Sequence, residues 1–350
     1  MAIPVTIGLD IAKNVFQVHG VDETGAVVAK RRLRRPELVD FFKTIEPCLV
    51  GIESCGSAHH WARSLTGLGH QVRLMPPSYV KPYVKSQKND AADAEAICEA
   101  VRRPTMRFVP VKSEEQQAVL MLHRTRDLLI RARSKLKNAF RSHLAEFGRV
   151  EGRGSVGLST LLKSHGDLDA LKVPAAARLA LDFLADQIRT LDFKVDELDD
   201  AIQAWHRANP LSRRLATIPG IGPLTASALV ATIADPHAFQ NGRPLAAWIG
   251  LVPRQYASGD TQKLGKITKA GDRYLRRLLV LGAHNVLATA RAGRTTISPT
   301  TAALLARKPF KVVCVALANK MARTAWAVMS KEEDFIPRAV VRLEANNRTR

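Results

Sequence analysis

Two aspartates three residues apart open an alanine-rich helical stretch, KNDAADAEAICEA, where Asp90 and Asp93 share one face and should repel each other. The ordinary explanation is local: Asp90 caps the helix and Asp93 sits in its first turn, where the macrodipole favours negative charge. Two further carboxylates lie in apolar, strand-like runs, Asp10 in VTIGLDIAK and Glu53 in CLVGIES. Four converging acids would need a cation. Hard oxygen ligands with no nearby Cys or His cluster select Mg²⁺ or Mn²⁺ over zinc. Two such ions can activate an attacking oxygen and stabilise a leaving oxygen in phosphodiester chemistry.

The flanking elements decide whether the acids can meet. VTIGLDIAKNVFQVHGVDETGAVVAKRRL alternates and is β-branched, with DETG as a turn, which predicts a three-strand meander. A short amphipathic helix, ELVDFFKTI, follows, then the buried strand CLVGIES, a helix from about Ser57 to Leu68, the strand QVRLM and the helix of Asp90 and Asp93. Three antiparallel strands followed by alternating helix and strand is the element order of a ribonuclease H-like α/β domain, expected over residues 1–111. There Asp10 and Glu53 sit on neighbouring strands, and the helix crosses the sheet. His59 and His60 follow Glu53 closely, but adjacent histidines at a helix start point different ways and are not expected to be a base or ligands.

Residues 112–208 read as helical. Ala118, Leu122, Thr125, Leu129, Ala132, Leu136 and Ala139 recur at steps of four and three, a heptad seam. Its other faces carry Arg124, Arg126, Arg131, Arg133, Lys135, Lys137 and Arg141, opposed in that stretch only by Asp127; one sign of charge points to a polyanion, and Arg124, Arg131 and Lys135 are candidate contacts. After a glycine-rich joint, EGRGSVG, a second seam runs through Leu184, Ile188, Leu191, Val195, Leu198, Ile202 and Trp205. Two such helices predict an antiparallel pair within the chain, a dimerising coiled coil, or both. In residues 209–350, IPGIGPLTASALVA sets Gly220 and Gly222 between helical patterns, either a hairpin aiming N–H groups at a phosphate or a plain turn. GLVPRQYASGDTQKLGKITKAGDRYLRRLL is polar and basic and reads as a surface loop.

The chain has 350 residues and is 46% hydrophobic, which suits two or three domains with real cores. Lys plus Arg number 53 against 32 acids, a net charge of +21, which favours nucleic acid as partner. No uninterrupted apolar run is long enough to span a bilayer, and MAIPVTIGLD lacks the pattern of a signal peptide, so a soluble cytoplasmic protein is expected. Cys48, Cys55, Cys98 and Cys314 show no zinc or disulfide spacing and should be reduced and mostly buried.

GLDIAK, GIESCGSAHHWARSL and KNDAADAEAI together resemble the DEDD transposases of bacterial insertion sequences, and the stretch from IPGIGP to YLRRLLV is similar to that family's C-terminal domain. The resemblance covers most of the chain apart from the helical middle and the extreme C-terminus. It implies that Asp10, Glu53, Asp90 and Asp93 are the metal-binding catalytic acids and that Ser258 of YASGD is a catalytic serine. It also implies a recombinase that cuts and rejoins donor and target DNA through a serine-linked intermediate, guided by a structured non-coding (bridge) RNA. Without that resemblance Ser258 reads as an ordinary turn residue, having no adjacent histidine base. Arg254, Lys263, Lys266, Lys269 and Arg273 surround it and would hold phosphates. Ser227, flanked by Ala and Leu, is an alternative nucleophile expected to pack instead. Serine and acids being distant in sequence, the resemblance implies a site assembled between domains or subunits, and a dimer or tetramer. Only 5% of residues are aromatic, which fits backbone recognition rather than base stacking. The rival readings are a metal-dependent nuclease or junction resolvase using water, and a binding scaffold without catalysis.

Overall fold

The computed structural model describes residues 3–85, 89–150, 173–259, 261–337 and 339–343, in two compact units, 1–114 and 115–350. The joint EGRGSVG and Lys88 lie outside the described residues.

In the first unit, β1 (Thr6–Ile11), β2 (Val15–Val21) and β3 (Val27–Arg34) form the expected antiparallel meander. Asp22 makes its turn by accepting the N–H groups of Thr24 and Ala26 at 2.9 and 3.0 Å. After α1 (Glu37–Lys43) come β4 (Leu49–Glu53), α2 (Ala58–Thr66), β5 (Gln71–Met75), α3 (Pro77–Val80) and α4 (Asp90–Val101). The sheet order is β3-β2-β1-β4-β5, with β4 parallel to both β1 and β5. Strand alternation then sorts the side chains. Ile7 and Leu9 of β1 face one way and join Phe16, Val18, Val50, Ile52, Leu38, Phe42, Trp61 and Leu65 in a buried core under α1 and α2. The opposite face receives α4, whose Ile97, Ala100 and Val101 are buried with Met75.

The second unit begins with two long helices, α5 (Glu114–Glu146) and α6 (Ala175–Ala208). They are antiparallel: Glu115 meets Trp205, Arg126 meets Asp199, Arg133 meets Asp192, and Phe140 and Leu144 pack on Leu181, Ala185 and Ile188. The seam on α6 is as expected, all seven of its residues being buried or half-buried. On α5 the seam is displaced by one residue. Ala118 and Thr125 are exposed and Leu122, Leu129, Ala132, Leu136 and Ala139 half-buried, while on the neighbouring line Val119, His123, Phe140 and Leu144 are buried and Arg126, Ile130, Arg133 and Lys137 are half-buried between them. Apolar periodicity could not locate this line, because its middle is ionic. Asp199 accepts both Nε and Nη2 of Arg126, at 2.5 and 2.9 Å, and Asp192 takes Arg133 and Lys137 at 2.6 and 3.2 Å. Three of the seven cations expected to form a free basic face are therefore neutralised by α6.

The chain continues through α7 (Pro210–Leu215), α8 (Pro223–Thr232), α9 (Gly242–Trp248), β6 (Pro253–Ser258), β7 (Thr261–Ile267), α10 (Arg273–Arg291), α11 (Pro299–Arg307) and α12 (Phe310–Lys331). By length and composition α12 could cross a membrane. Here it is a core helix, its Ala318, Met321, Ala322, Ala325 and Met329 packed with Leu229, Leu245 and Leu279. The stretch expected as a surface loop is instead the β6–β7 hairpin. Both its faces are exposed, so no apolar alternation marked it.

His123, Ser227 and Tyr274 join α5, α8 and α10. The His123 ring lies 3.0 Å from Ser227 Oγ and 2.9 Å from Tyr274 OH, and Ser227 Oγ donates to Pro223 O at 2.8 Å. Burial pushes the imidazole down to about pKa 4, so it is neutral at neutral pH. The unfolded chain binds this proton below about pH 6.5 and the native state only near 4, so stability falls as pH drops through that window. We expect the unit to lose roughly 2 kcal/mol through this group between pH 7.5 and 5. His123→Gln should be less stable at pH 7.5 but shallower in its acid dependence, as read by urea denaturation at the two pH values.

Candidate active site

β1 and β4 run parallel with Leu9 opposite Ile52, which makes Asp10 and Glu53 neighbours at the carboxyl ends of adjacent strands, on the same sheet face. Two residues back on that face stand Gly8 and Gly51. A Cβ on Gly8 would fall 2.1 Å from Ala94 O and 2.4 Å from Cys98 N; one on Gly51 would fall 2.8 Å from Val101 Cβ. The two glycines therefore let α4 lie directly on the backbone of the sheet, which brings its first turn over Asp10. Carboxylate oxygens of Asp10, Asp90 and Asp93 lie within 4.8 Å of one another. Glu53, half-buried, stands outside that group of three, but its charge acts on Asp10.

Asp90 does not cap the helix. Asn89 does so, accepting the N–H of Ala92 at 2.8 Å, with the backbone extended at φ −144°. Asp90 is thereby relieved of the local role that composition offered it. The position of Asp10 is electrostatically unfavourable: burial first, then Asp93, Asp90 and Glu53, push its carboxyl up from 3.8 to about 6. A set of oxygen donors whose charges raise the pKa of one member fits a divalent cation, and all three grouped ligands are hard carboxylates. His59 and His60 are engaged elsewhere, as expected. His59 Nδ1 accepts the N–H of Lys112 at 3.2 Å, and His60 packs edge-on to Trp61.

Gly8→Ala is expected to lift α4 from the sheet, lower stability by roughly 2–3 kcal/mol and blunt any thermal shift on adding Mg²⁺. Gly56→Ala is the control, since a Cβ there meets nothing within 4 Å and should be near neutral. Thermal melts of both variants with and without Mg²⁺ check this.

Ser258 ends β6, exposed and paired with Thr261. By register Lys263, opposite Tyr256, faces the same side as Ser258, and Lys266 faces the other. Arg254 donates to Thr268 O at 3.4 Å, Lys269 is exposed with φ +55°, and Arg273 opens α10 after the Asp272 cap. The hairpin base is pinned by Arg276, whose guanidinium donates to Ile249 O at 2.8 Å and Ala270 O at 2.6 Å. Ser227 packs, as expected. It is fully buried and its proton goes to the helix carbonyls; His123 beside it lies 104 residues away in sequence, and no local pattern linked the two.

Among the α5 candidates, Arg124 and Lys135 are exposed, with no ion pair to the described residues, and Arg131 pairs with Asp127 at 3.1 Å. A Cβ on Gly220, at φ +89°, would fall 2.9 Å from Met321 Cε and 3.0 Å from Gly282 O and Val286 Cγ2, so backbone and packing favour glycine there whatever else it does. Gly222 is exposed at the N-terminus of α8, with open space about it. The cysteines are free, three of them buried and Cys55 exposed.

The family pattern of a transposase with a DEDD domain matches residues 7–148, the span that holds the four acids. The family described as "Transposase IS116/IS110/IS902 family" matches residues 212–297, which include the hairpin. A "Probable family 20 transposase" of Pseudomonas aeruginosa is 49% identical, covering 95% of this chain and 98% of its own length. The "Transposase for insertion sequence element IS1111A" of Coxiella burnetii is 38% identical over 94% of this chain and 90% of its own. A "Pilin gene-inverting protein" of Moraxella bovis is 27% identical over 79% of this chain and 81% of its own. The chain belongs to the IS110/IS116 family of insertion-sequence transposases.

Proposed function

We propose that this transposase cuts and rejoins donor and target DNA through a covalent bond to Ser258, with Asp10, Glu53, Asp90 and Asp93 holding Mg²⁺ or Mn²⁺. The observation that carries the reading is the meeting of three acids, from a strand and a helix 80 residues apart in sequence, within 4.8 Å. Bound there, divalent ions would stabilise the attacking and leaving oxygens of phosphodiester transfer. The chain's own part is to aim the carboxylates through the glycine-lined seat of α4. Ser258 supplies a hydroxyl on a pinned, exposed hairpin, with Lys263 on its own face and Arg254, Lys266, Lys269 and Arg273 as further cations on and around the hairpin to draw phosphates.

The sheet order, with its antiparallel meander and parallel β4 and β5, supports a ribonuclease H-like catalytic domain over residues 1–111. Residues 112–208 would be the helical arm and 209–350 the C-terminal transposase domain. Guidance by a structured bridge RNA accords with the net charge and the scarcity of aromatics, sequence being read by base pairing. Arg124, Arg131, Lys135, Gly220 and Gly222 are further contacts for nucleic acid. Recombining two duplexes calls for a dimer or tetramer, and the exposed Leu179, Phe183 and Phe193 on α6 offer apolar surface for it. Such a protein would work in the cytoplasm at the nucleoid. The Moraxella relative is named for inverting a pilin gene, in keeping with recombination.

The test is a denaturing gel of full-length protein mixed with its element's flanking RNA, donor and target DNA and Mg²⁺. A DNA-linked protein band is the expected result. Cleavage without any linked band would make the enzyme a metal-dependent nuclease that uses water.

A further inference from the structure

The first unit carries a concentration of positive charge that neither the acids nor the hairpin accounts for. AKRRLRR spans the edge strand β3 and places Lys30, Arg31, Arg32, Arg34 and Arg35 within six positions. Arg35 is explained, since its guanidinium lies 5.1 Å from the Trp61 ring and donates to Lys13 O. Leu33 packs into the α1–α2 core, so Arg31 and Arg35 share its side. Lys30 and Arg32 therefore face the other way, toward α4.

Register fixes what they stand beside. Asp10 pairs with Gln17 and Gln17 with Arg32, while Gly8 pairs with His19 and His19 with Lys30. Glu53, Asp10, Gln17 and Arg32 thus form one row across a single face of the sheet, acids at one end and a guanidinium at the other. Between β2, β3 and α4 lies a groove of about 380 Å³, lined by Gln17, His19, Lys30, Arg32, Asn89 and Glu95. Among the described residues Glu95 is the one acid lining it, and Lys85 neutralises it at 2.7 Å. Burial lowers the pKa of His19, leaving it a neutral hydrogen-bonding group. Lys30 and Arg32 make no ion pair with the described residues, Lys30 being exposed at the groove's rim and Arg32 exposed beside it.

We propose that this groove seats the phosphate backbone of the DNA strand that leads into the carboxylate cluster, with Lys30 and Arg32 as its phosphate contacts. The proposal rests on the transposase reading above. An acid cluster repels the phosphates on either side of the one it works on, and a strand can stay there only if nearby cations offset that repulsion. Arg32 stands two strand spacings from Asp10, roughly 10 Å, within reach of a neighbouring phosphate. Gln17, between them, can donate its side-chain amide to the sugar-phosphate link without adding charge.

The test uses full-length protein and a fluorescent single-stranded DNA oligonucleotide of the element end, in EDTA, with anisotropy titrations across a salt series. Lys30→Ala/Arg32→Ala should weaken binding roughly tenfold at 0.15 M salt. The slope of log affinity against log salt should fall by about 1.4, or 0.7 for each lost contact. Lys30→Arg/Arg32→Lys keeps the charge and should restore both values. Unchanged affinity and slope in the alanine double variant would overturn the proposal. So would a loss confined to the structured RNA, with DNA binding intact. Absence of a DNA-linked band for the unsubstituted protein would sink the recombination reading without altering this binding result, so the two failures are separable.

Discussion

Asp10→Asn is expected to lower strand cutting by at least about 10³-fold while making the metal-free protein more stable. The activity loss follows from its place: it is the strand-borne member of the three carboxylates and the one on which all the others act. The stability gain follows from its raised pKa. A carboxyl that titrates near 6 when folded and near 3.8 when unfolded binds more protons in the native state between those values. Native stability therefore falls as pH rises through that window, and the cost is complete above about 6. The unscreened shift would be worth about 3 kcal/mol, and solvent access to the side chain reduces this to roughly 1–2 kcal/mol. Asparagine removes that cost at pH 7.5, for an expected rise of about 4–8 °C in the melting temperature of the first unit. Mg²⁺ should raise the melting temperature of the unsubstituted protein and have much less effect on the variant. An Asp10→Asn variant that still cuts DNA, or one that melts at the original temperature, would remove Asp10 from the centre of the site.

The acids were legible because the physics that placed them is periodic. Alternation and β-branching marked β1, a continuous apolar run marked β4, and the end of each strand carries its acid, so Asp10 and Glu53 could be set side by side from sequence. What brings α4 down onto them was not read, although its signal was present: a glycine stands two residues before each acid, in GLD and in GIE, on the face that alternation assigns to the acid. Asn89 was passed over as the cap because Asp90 was chemically as good and one residue away. The α5 seam was misplaced by one residue because Arg126, Arg133 and Lys137 occupy its middle, and a hydrophobic pattern cannot register charges whose partners lie 55 to 73 residues further along. The hairpin was missed for the opposite reason. With both faces of β6 and β7 in solvent, no buried apolar row ties the strands together, and side-chain alternation leaves no trace.

That exposure makes the Ser258 side chain dispensable to the fold. Ser258→Ala should abolish the DNA-linked band and lower strand transfer by at least about 10³-fold, yet shift stability by no more than about 0.5 kcal/mol. The hydroxyl sits at the open end of a hairpin whose pairing with Thr261 is a backbone matter, so its removal costs the fold little. Ser227→Ala should do the reverse. Its hydroxyl is fully buried between His123 and the Pro223 carbonyl, and deleting it leaves the imidazole without that partner, a loss of roughly 1–3 kcal/mol. The linked band should persist in that variant. The proposed nucleophile is thus the serine whose loss the fold should not feel, and paired urea denaturation and denaturing gels on the two variants tell the two serines apart. A linked band that survives Ser258→Ala and vanishes with Ser227→Ala would move the chemistry into the helical core, where no DNA strand could reach it without opening α5 from α8.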